Sequence, residues 1–157
     1  AVGSTFAFAD KIYGEAIGLE DADATGRLGD LTVLHKRYDL LRTLLLLEAQ
    51  DLKERCMQDF HIITYFYLYN AEDIETTSQQ NYFSKQLFDL KTAYPKDIIL
   101  IPIAVDTNVA SIDVFVKSLE IKKYPVILID NDKIVSEVVT LKELENFVFG
   151  NQKNNVP

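Results

Sequence analysis

Pro125 is the residue that most restricts how this chain can fold. A helical pattern runs up to it from one side, and the continuous apolar run Val126-Ile127-Leu128-Ile129 leaves it on the other. Proline removes a backbone donor and pushes the preceding residue out of helical space, so the helix must stop before Tyr124 and a strand can start after it. Upstream, residues 97–106 hold the run Ile98-Ile99-Leu100-Ile101-Pro102-Ile103-Ala104-Val105, which reads as a buried strand. Residues 111–119 read as a short helix with Val114, Phe115 and Leu119 on one side. Downstream, strand 126–130, a tight polar turn at Asn131-Asp132 and strand 133–139 make a β-hairpin. The order is strand, helix, proline, strand, strand.

That order, with these residues, resembles the C-terminal half of the thioredoxin fold. Val105-Asp106-Thr107-Asn108 stands at the family's strand end, and Leu119-Glu120-Ile121-Lys122-Lys123-Tyr124-Pro125-Val126 stands for its proline loop. The likeness covers roughly residues 60–149. It implies an α/β class, a three-layer α/β/α sandwich with a mixed central sheet, here with a long N-terminal helical extension. It also implies a cis Tyr124–Pro125 bond, which few X-Pro bonds adopt.

Strand 62–69 then matches the family's central strand, whose C-terminal end carries the redox motif and is where chemistry is expected in an α/β sheet. The segment that follows, Asn70-Ala71-Glu72-Asp73-Ile74-Glu75-Thr76-Thr77-Ser78-Gln79-Gln80, has no cysteine where thioredoxins have Trp-Cys-x-x-Cys. Dithiol exchange needs a thiolate at a helix N-terminus and a second sulfur to resolve the mixed disulfide, so a chain with one cysteine cannot perform it. Tyr65 aligns with the family's buried acid, so a second part of the redox apparatus is replaced, while Asp106, Ile121 and Pro125 of the scaffold remain.

The resemblance thus implies a redox-inactive domain that binds or assembles proteins. In such folds the groove beside the cis-proline takes extended peptide as an added strand. Here its sides would be Lys123, Tyr124 and Pro125, and the loop bearing Asn70, Glu72, Thr76, Thr77 and Ser78. The Tyr124 ring would either fill the groove or anchor a partner in it.

Other chemistry has few carriers. Cys56 excludes an internal disulfide and a thiolate zinc cluster by being alone. It reads as a buried structural thiol, an intermolecular disulfide partner or, as an alternative function, the nucleophile of a thiol-dependent redox enzyme; a helix C-terminus would raise its pKa. A second alternative is a small-molecule enzyme using the acidic loop 70–79, with Glu72, Asp73 and Glu75 as its acids. Against it stands the ordinary solvated loop, with Thr76, Thr77 and Ser78 as helix caps. His35 and His61 lie on different elements without ligand spacing, so no metal is expected, and no cofactor is implied.

Residues 1–29 are small, acidic and glycine-containing, and read as a partly ordered arm in which Phe6, Phe8, Ile12, Tyr13 and Ile17 could form a short amphipathic helix. The acidic run 20–25 lacks the glycine and glutamate of an EF-hand. From Asp30 as N-cap to about residue 58, Leu34, Tyr38, Leu41, Leu45, Leu52 and Cys56 mark a long amphipathic helix. Leu44-Leu45-Leu46-Leu47 puts leucine all round one turn, enough to cover the sheet and also meet the arm, a second copy in a homodimer, or another protein. Thr140-Leu141-Lys142-Glu143 is a capping box opening a last helix with Leu144, Phe147 and Val148 inward, and residues 150–157 are a polar tail.

With 16 basic and 24 acidic residues the formal charge is −8, which argues against nucleic acid and anionic membrane surfaces as partners. No stretch of about 18 uninterrupted apolar residues is present to span a bilayer. The first residue is Ala1, so a leader or anchor removed from the chain is an expectation, and with it an extracytoplasmic or membrane-associated location.

Overall fold

The computed structural model describes residues 2–24, 31–56 and 59–150, with the side chains of 3–14, 36–55 and 59–150. Nine elements follow in order: α1 (Val2–Ala24), α2 (Leu31–Cys56), β1 (His61–Tyr67), α3 (Ile74–Ala93), β2 (Ile98–Ala104), α4 (Ala110–Ser118), β3 (Val126–Ile129), β4 (Lys133–Val135) and α5 (Leu141–Phe149). The sheet order is β2-β1-β3-β4. β1 and β2 are parallel, with His61 opposite Ile98 and Tyr67 opposite Ala104; β3 runs antiparallel to both β1 and β4.

Why these strands carry unbroken apolar runs is answered by the two cores. Ile62, Phe66, Ile99, Ile101, Val126 and Leu128 face one side of the sheet, under Leu45, Leu46 and Ala49 of α2 and Ile112 and Val116 of α4. Alternate residues, Ile63, Tyr65, Leu100, Ile127 and Ile129, face the other, under Phe83, Leu87 and Leu90 of α3 and Leu144 and Val148 of α5. A strand covered on both faces has no polar side to alternate with. Pro102 is tolerated inside β2 because that strand is at the sheet's edge, where a missing donor breaks no ladder. The Tyr124–Pro125 bond is cis, as expected. From β1 onward the chain has the thioredoxin-like fold: a mixed sheet between helical layers, preceded by two N-terminal helices.

The structure corrects several local readings. Residues 2–24, read as part of a loosely ordered arm, form the helix α1, whose Thr5, Ala9 and Ile12 are buried. Its apolar stripe is narrow and made partly of small residues. On α4 the buried residues are Ile112 and Val116, whereas Val114, expected inward, is 69% exposed. Phe147 on α5 is also exposed, although Leu144 and Val148 are inward and the Thr140/Glu143 capping box forms. β4 ends at Val135 rather than 139.

The hairpin turn is one residue earlier than the sequence suggested: Asp130 and Asn131 have φ of 51° and 60°, and Asp132 N–H donates to Ile129 carbonyl at 3.0 Å. Two central residues with positive φ make a type I′ turn, whose twist matches that of the strands. Of the expected α2 stripe, Tyr38, Leu41, Leu45 and Leu52 do pack on the core. The leucine run divides, with Leu45 and Leu46 buried and Leu44 and Leu47 exposed. Asp30, residues 57–58 and 151–157 of the tail lie outside the described residues, as do the side chains of His35 and Cys56.

Candidate functional site

Residues 68–73 leave the C-terminal end of β1, and Asp106, just beyond β2, holds them there. Its carboxylate accepts from Tyr69 N–H at 2.7 Å and from Asn70 N–H at 2.8 Å. Two charge-assisted bonds to adjacent amides fix where the loop turns toward α3. Gln80 of α3 closes the loop from the other side, donating to Leu68 carbonyl at 3.1 Å and accepting from Leu68 N–H at 2.7 Å.

The N-cap of α3 is Asp73, which replaces the expected Thr76, Thr77 and Ser78 in that role. The Asp73 carboxylate accepts from Thr76 N–H at 2.7 Å, and this bond, with the Thr76 hydroxyl, holds the acid below its ordinary value. Thr77 Oγ1 donates back to Asp73 carbonyl at 2.9 Å. A carboxylate held in its ionised form at a helix N-terminus serves that helix as a cap. Glu72, Glu75, Thr77 and Ser78 are exposed and Thr76 half-buried. Ile74, the first helical residue, is 85% exposed, an apolar side chain presented to solvent where the resemblance would place the redox motif.

Across from this loop, Phe66 pairs with Val126, so Pro125 and Tyr124 sit at the same end of the sheet as Leu68 and Tyr69. The two sides expected for a groove are therefore at one end of the sheet. Lys123 is exposed, Pro125 buried, and Tyr124 half-buried against the α2/α4 core. Burial, with the nearby Asp113 carboxylate, pushes the Tyr124 hydroxyl pKa up.

A cavity of about 320 Å³ opens beside that end of the sheet, on the α3 side and toward the β2 edge. Tyr13 of α1, Tyr65, Tyr67 and Tyr69 line it, with Gln80 and Arg42. None of the expected groove residues contributes to its wall. Sequence reasoning passed over Arg42 because it reads as one more polar position on a long helix. In the fold it is 3% exposed, beside Asp39 at 0%. Arg42 Nη1 donates to Asp39 Oδ1 at 3.4 Å, and Asp39 Oδ2 accepts from Thr107 Oγ1 at 2.8 Å. Arg42 Nε is buried and has no partner. An unmet donor of this kind costs about 1–3 kcal/mol.

At the opposite end of β1, Asp130 gathers three donors. Lys53 Nζ lies 2.6 Å from Oδ1, Ile62 N–H donates to the same oxygen at 2.9 Å, and His61 Nδ1 is 2.7 Å from Oδ2. Burial alone would raise this acid, but the bonds from His61, Lys53 and the Ile62 amide outweigh it and hold the carboxyl below its usual range. This cluster was invisible in the sequence, because its members are far apart and only the I′ turn aims Asp130 back at the strand. Among the described residues no group of three or more His, Cys, Asp and Glu side chains could hold a metal ion, and no helix is long and apolar enough to cross a membrane.

No protein-family model matches the sequence, and no curated protein sequence matches it. A comparison with solved structures finds a likeness to oxidized mitochondrial thioredoxin 3 of Saccharomyces cerevisiae, at 16% identity and a TM-score of 0.42, covering 65% of this chain and 89% of that one.

Proposed function

We propose that this chain is a protein- or peptide-binding module on a thioredoxin-like fold, without dithiol chemistry. The observation that carries the reading is the N-terminus of α3. A carboxylate, Asp73, caps it, and Ile74 follows fully presented to solvent. The positive end of the helix is already met by a fixed anion, and an apolar contact is offered where a nucleophile would be required. The partner is an extended segment that adds beside Lys123 and Tyr124, since the β1/β3 pairing stops at Val126 and leaves the preceding backbone at the strand's end. With a chain charge of −8, and Glu72, Asp73 and Glu75 along the loop, the partner is basic.

The test is fluorescence anisotropy with a labelled, unstructured peptide of alternating valine and lysine. Ile74→Asp and Lys123→Glu are exposed substitutions that keep the fold, and Asp suits the first turn of a helix. We expect Ile74→Asp to weaken binding tenfold or more and Lys123→Glu to alter it measurably. Binding unchanged in both variants rejects the groove. The rate at which dithiothreitol reduces a protein disulfide should be the same with the chain present, with its Cys56→Ser variant, or with neither; acceleration by the unsubstituted chain alone would restore the thiol-enzyme alternative.

One further partner reading has its own observation. Leu40, Leu44 and Leu47 of α2 are 48%, 61% and 53% exposed and recur at helical steps of four and three. We propose this stripe as a homodimer contact. Light scattering on the eluting protein should give twice the chain mass, reverting to one chain mass in Leu44→Glu; a monomer at all concentrations removes the dimer.

A further inference from the structure

The Arg42 cavity is a second site, at a different place from the groove. Its walls are pre-formed. The Tyr65 and Tyr67 rings stack at 5.4 Å between centroids and 17° between planes, and Tyr65 Oη donates to Gln80 carbonyl at 3.2 Å. Gln80 itself is locked by both its amide atoms to Leu68, and Leu87, Leu100 and Pro102 supply an apolar floor. A flat aromatic wall, an apolar floor and a few convergent polar groups are the make-up of a small-molecule pocket, and about 320 Å³ lies within the size range such pockets have. The place is also the one the sheet favours, outside the carboxyl ends of the parallel strands β1 and β2.

Arg42 supplies the specificity. The guanidinium has a rigid fork of donors suited to two-pronged recognition of a carboxylate. Asp39 accepts from its Nη1 through a long contact of 3.4 Å and also accepts from Thr107. The Nε donor stays buried and unpartnered in a residue that lines the cavity. Stability alone gives no reason to keep a buried cation with an unmet donor; a ligand that accepts from it does.

We propose that this cavity binds a small aromatic carboxylate, with the carboxylate on the Nε edge of Arg42 and the ring against Tyr65 and Tyr67. The size of the cavity limits the ligand to a small ring with a short acid arm. Asp39 orients the guanidinium through its contact with Nη1. This proposal stands apart from the groove, and the failure of either leaves the other intact.

The test is an NMR titration of the full chain with phenylacetate, with phenylacetamide as the uncharged isostere and acetate as the acid without a ring. Phenylacetate should move the Arg42 Nε–H resonance and the amides of Tyr69 and Gln80 in a saturable way. The amide and acetate should bind at least tenfold more weakly. Arg42→Lys, which keeps the charge but loses the fork, should lower phenylacetate affinity tenfold or more. Ser84→Trp, at the exposed rim, should block the site while leaving the circular dichroism unchanged. The proposal is overturned if phenylacetate produces no shift at these positions, if phenylacetamide binds equally well, or if Ser84→Trp leaves binding as it was. A poorly folded Arg42→Lys leaves the ligand series and the Ser84 variant to decide.

Discussion

Asp130 and Asp39 show how differently two carboxylates can serve one fold. Asp130 is partly exposed and sits in the left-handed conformation of a I′ turn, which asparagine also tolerates. Asp130→Asn therefore keeps the turn and removes the charge that faces Lys53 and His61. Because the folded acid lies below its unfolded value of about 3.8, its contribution is complete above that value and is lost as the pH falls through the folded pKa. We expect the variant to be less stable by about 1 kcal/mol at pH 7, discounting for solvent, and the difference to shrink as the pH falls through the folded carboxyl's lowered pKa, as measured by urea unfolding. A difference that grows in acid would contradict the assignment. Asp39 is fully buried beside a buried Arg42, so Asp39→Ala leaves an uncompensated charge. A loss of about 3–5 kcal/mol is expected at pH 7, and a loss under about 1 kcal/mol would mean that Arg42 is not held as described.

At the scale of elements, α1 is the instructive case. Polar and aromatic contacts help bind it to the rest: Thr5 Oγ1 donates to Glu48 Oε1 at 3.3 Å, Phe6 packs edge-on to Phe60 at 5.6 Å, and Asp10 pairs with Lys91 at 3.2 Å. Lys91 also donates to Pro95 and Ile98 carbonyls and stands 5.3 Å from the Phe6 ring centre, so one side chain joins α1, α3 and the start of β2. Ala9 is buried where α1 approaches the core, and Ala9→Leu should overpack that contact and cost about 1–3 kcal/mol in urea unfolding; a neutral effect would mean that α1 does not pack as described.

The same helix shows what the sequence could not display. Its buried stripe is Thr5, Ala9 and Ile12, two of them too small or polar to register as hydrophobic periodicity, whereas the larger Phe8 points outward. β1, β2 and β3 were legible because burial on both faces leaves unbroken apolar runs, and α5 because its cap is a local four-residue signal. Side-chain direction on α4 and the cap of α3 were not, since Val114 and Val116 differ only in what packs over them, and Asp73, Thr76, Thr77 and Ser78 are all residue types that can cap a helix. Of the candidate sites, the proline loop and the loop after β1 could be read from a local pattern. Arg42 could not, because the tyrosines that share its cavity, and the Thr107 that holds its partner Asp39, come from distant elements.

Taken whole, the molecule has a thioredoxin-like sheet with helices on both faces, α1 and α2 covering the side and edge next to β2, and the loop after β1 meeting the segment before β3 at the C-terminal end of β1. Asp106 ties that loop in place, Asp73 caps the helix behind it, and Pro125 sets the facing segment. On the function proposed above, this end of the sheet receives an extended basic peptide and performs no dithiol chemistry. Chemical-shift mapping of backbone amides during titration with the valine/lysine peptide is the most direct test. Saturable shifts are expected at residues 123–126 and 73–78, with the far end of the sheet around Asp130 unmoved. Shifts that are absent from both segments, or that gather elsewhere on the surface, would contradict it.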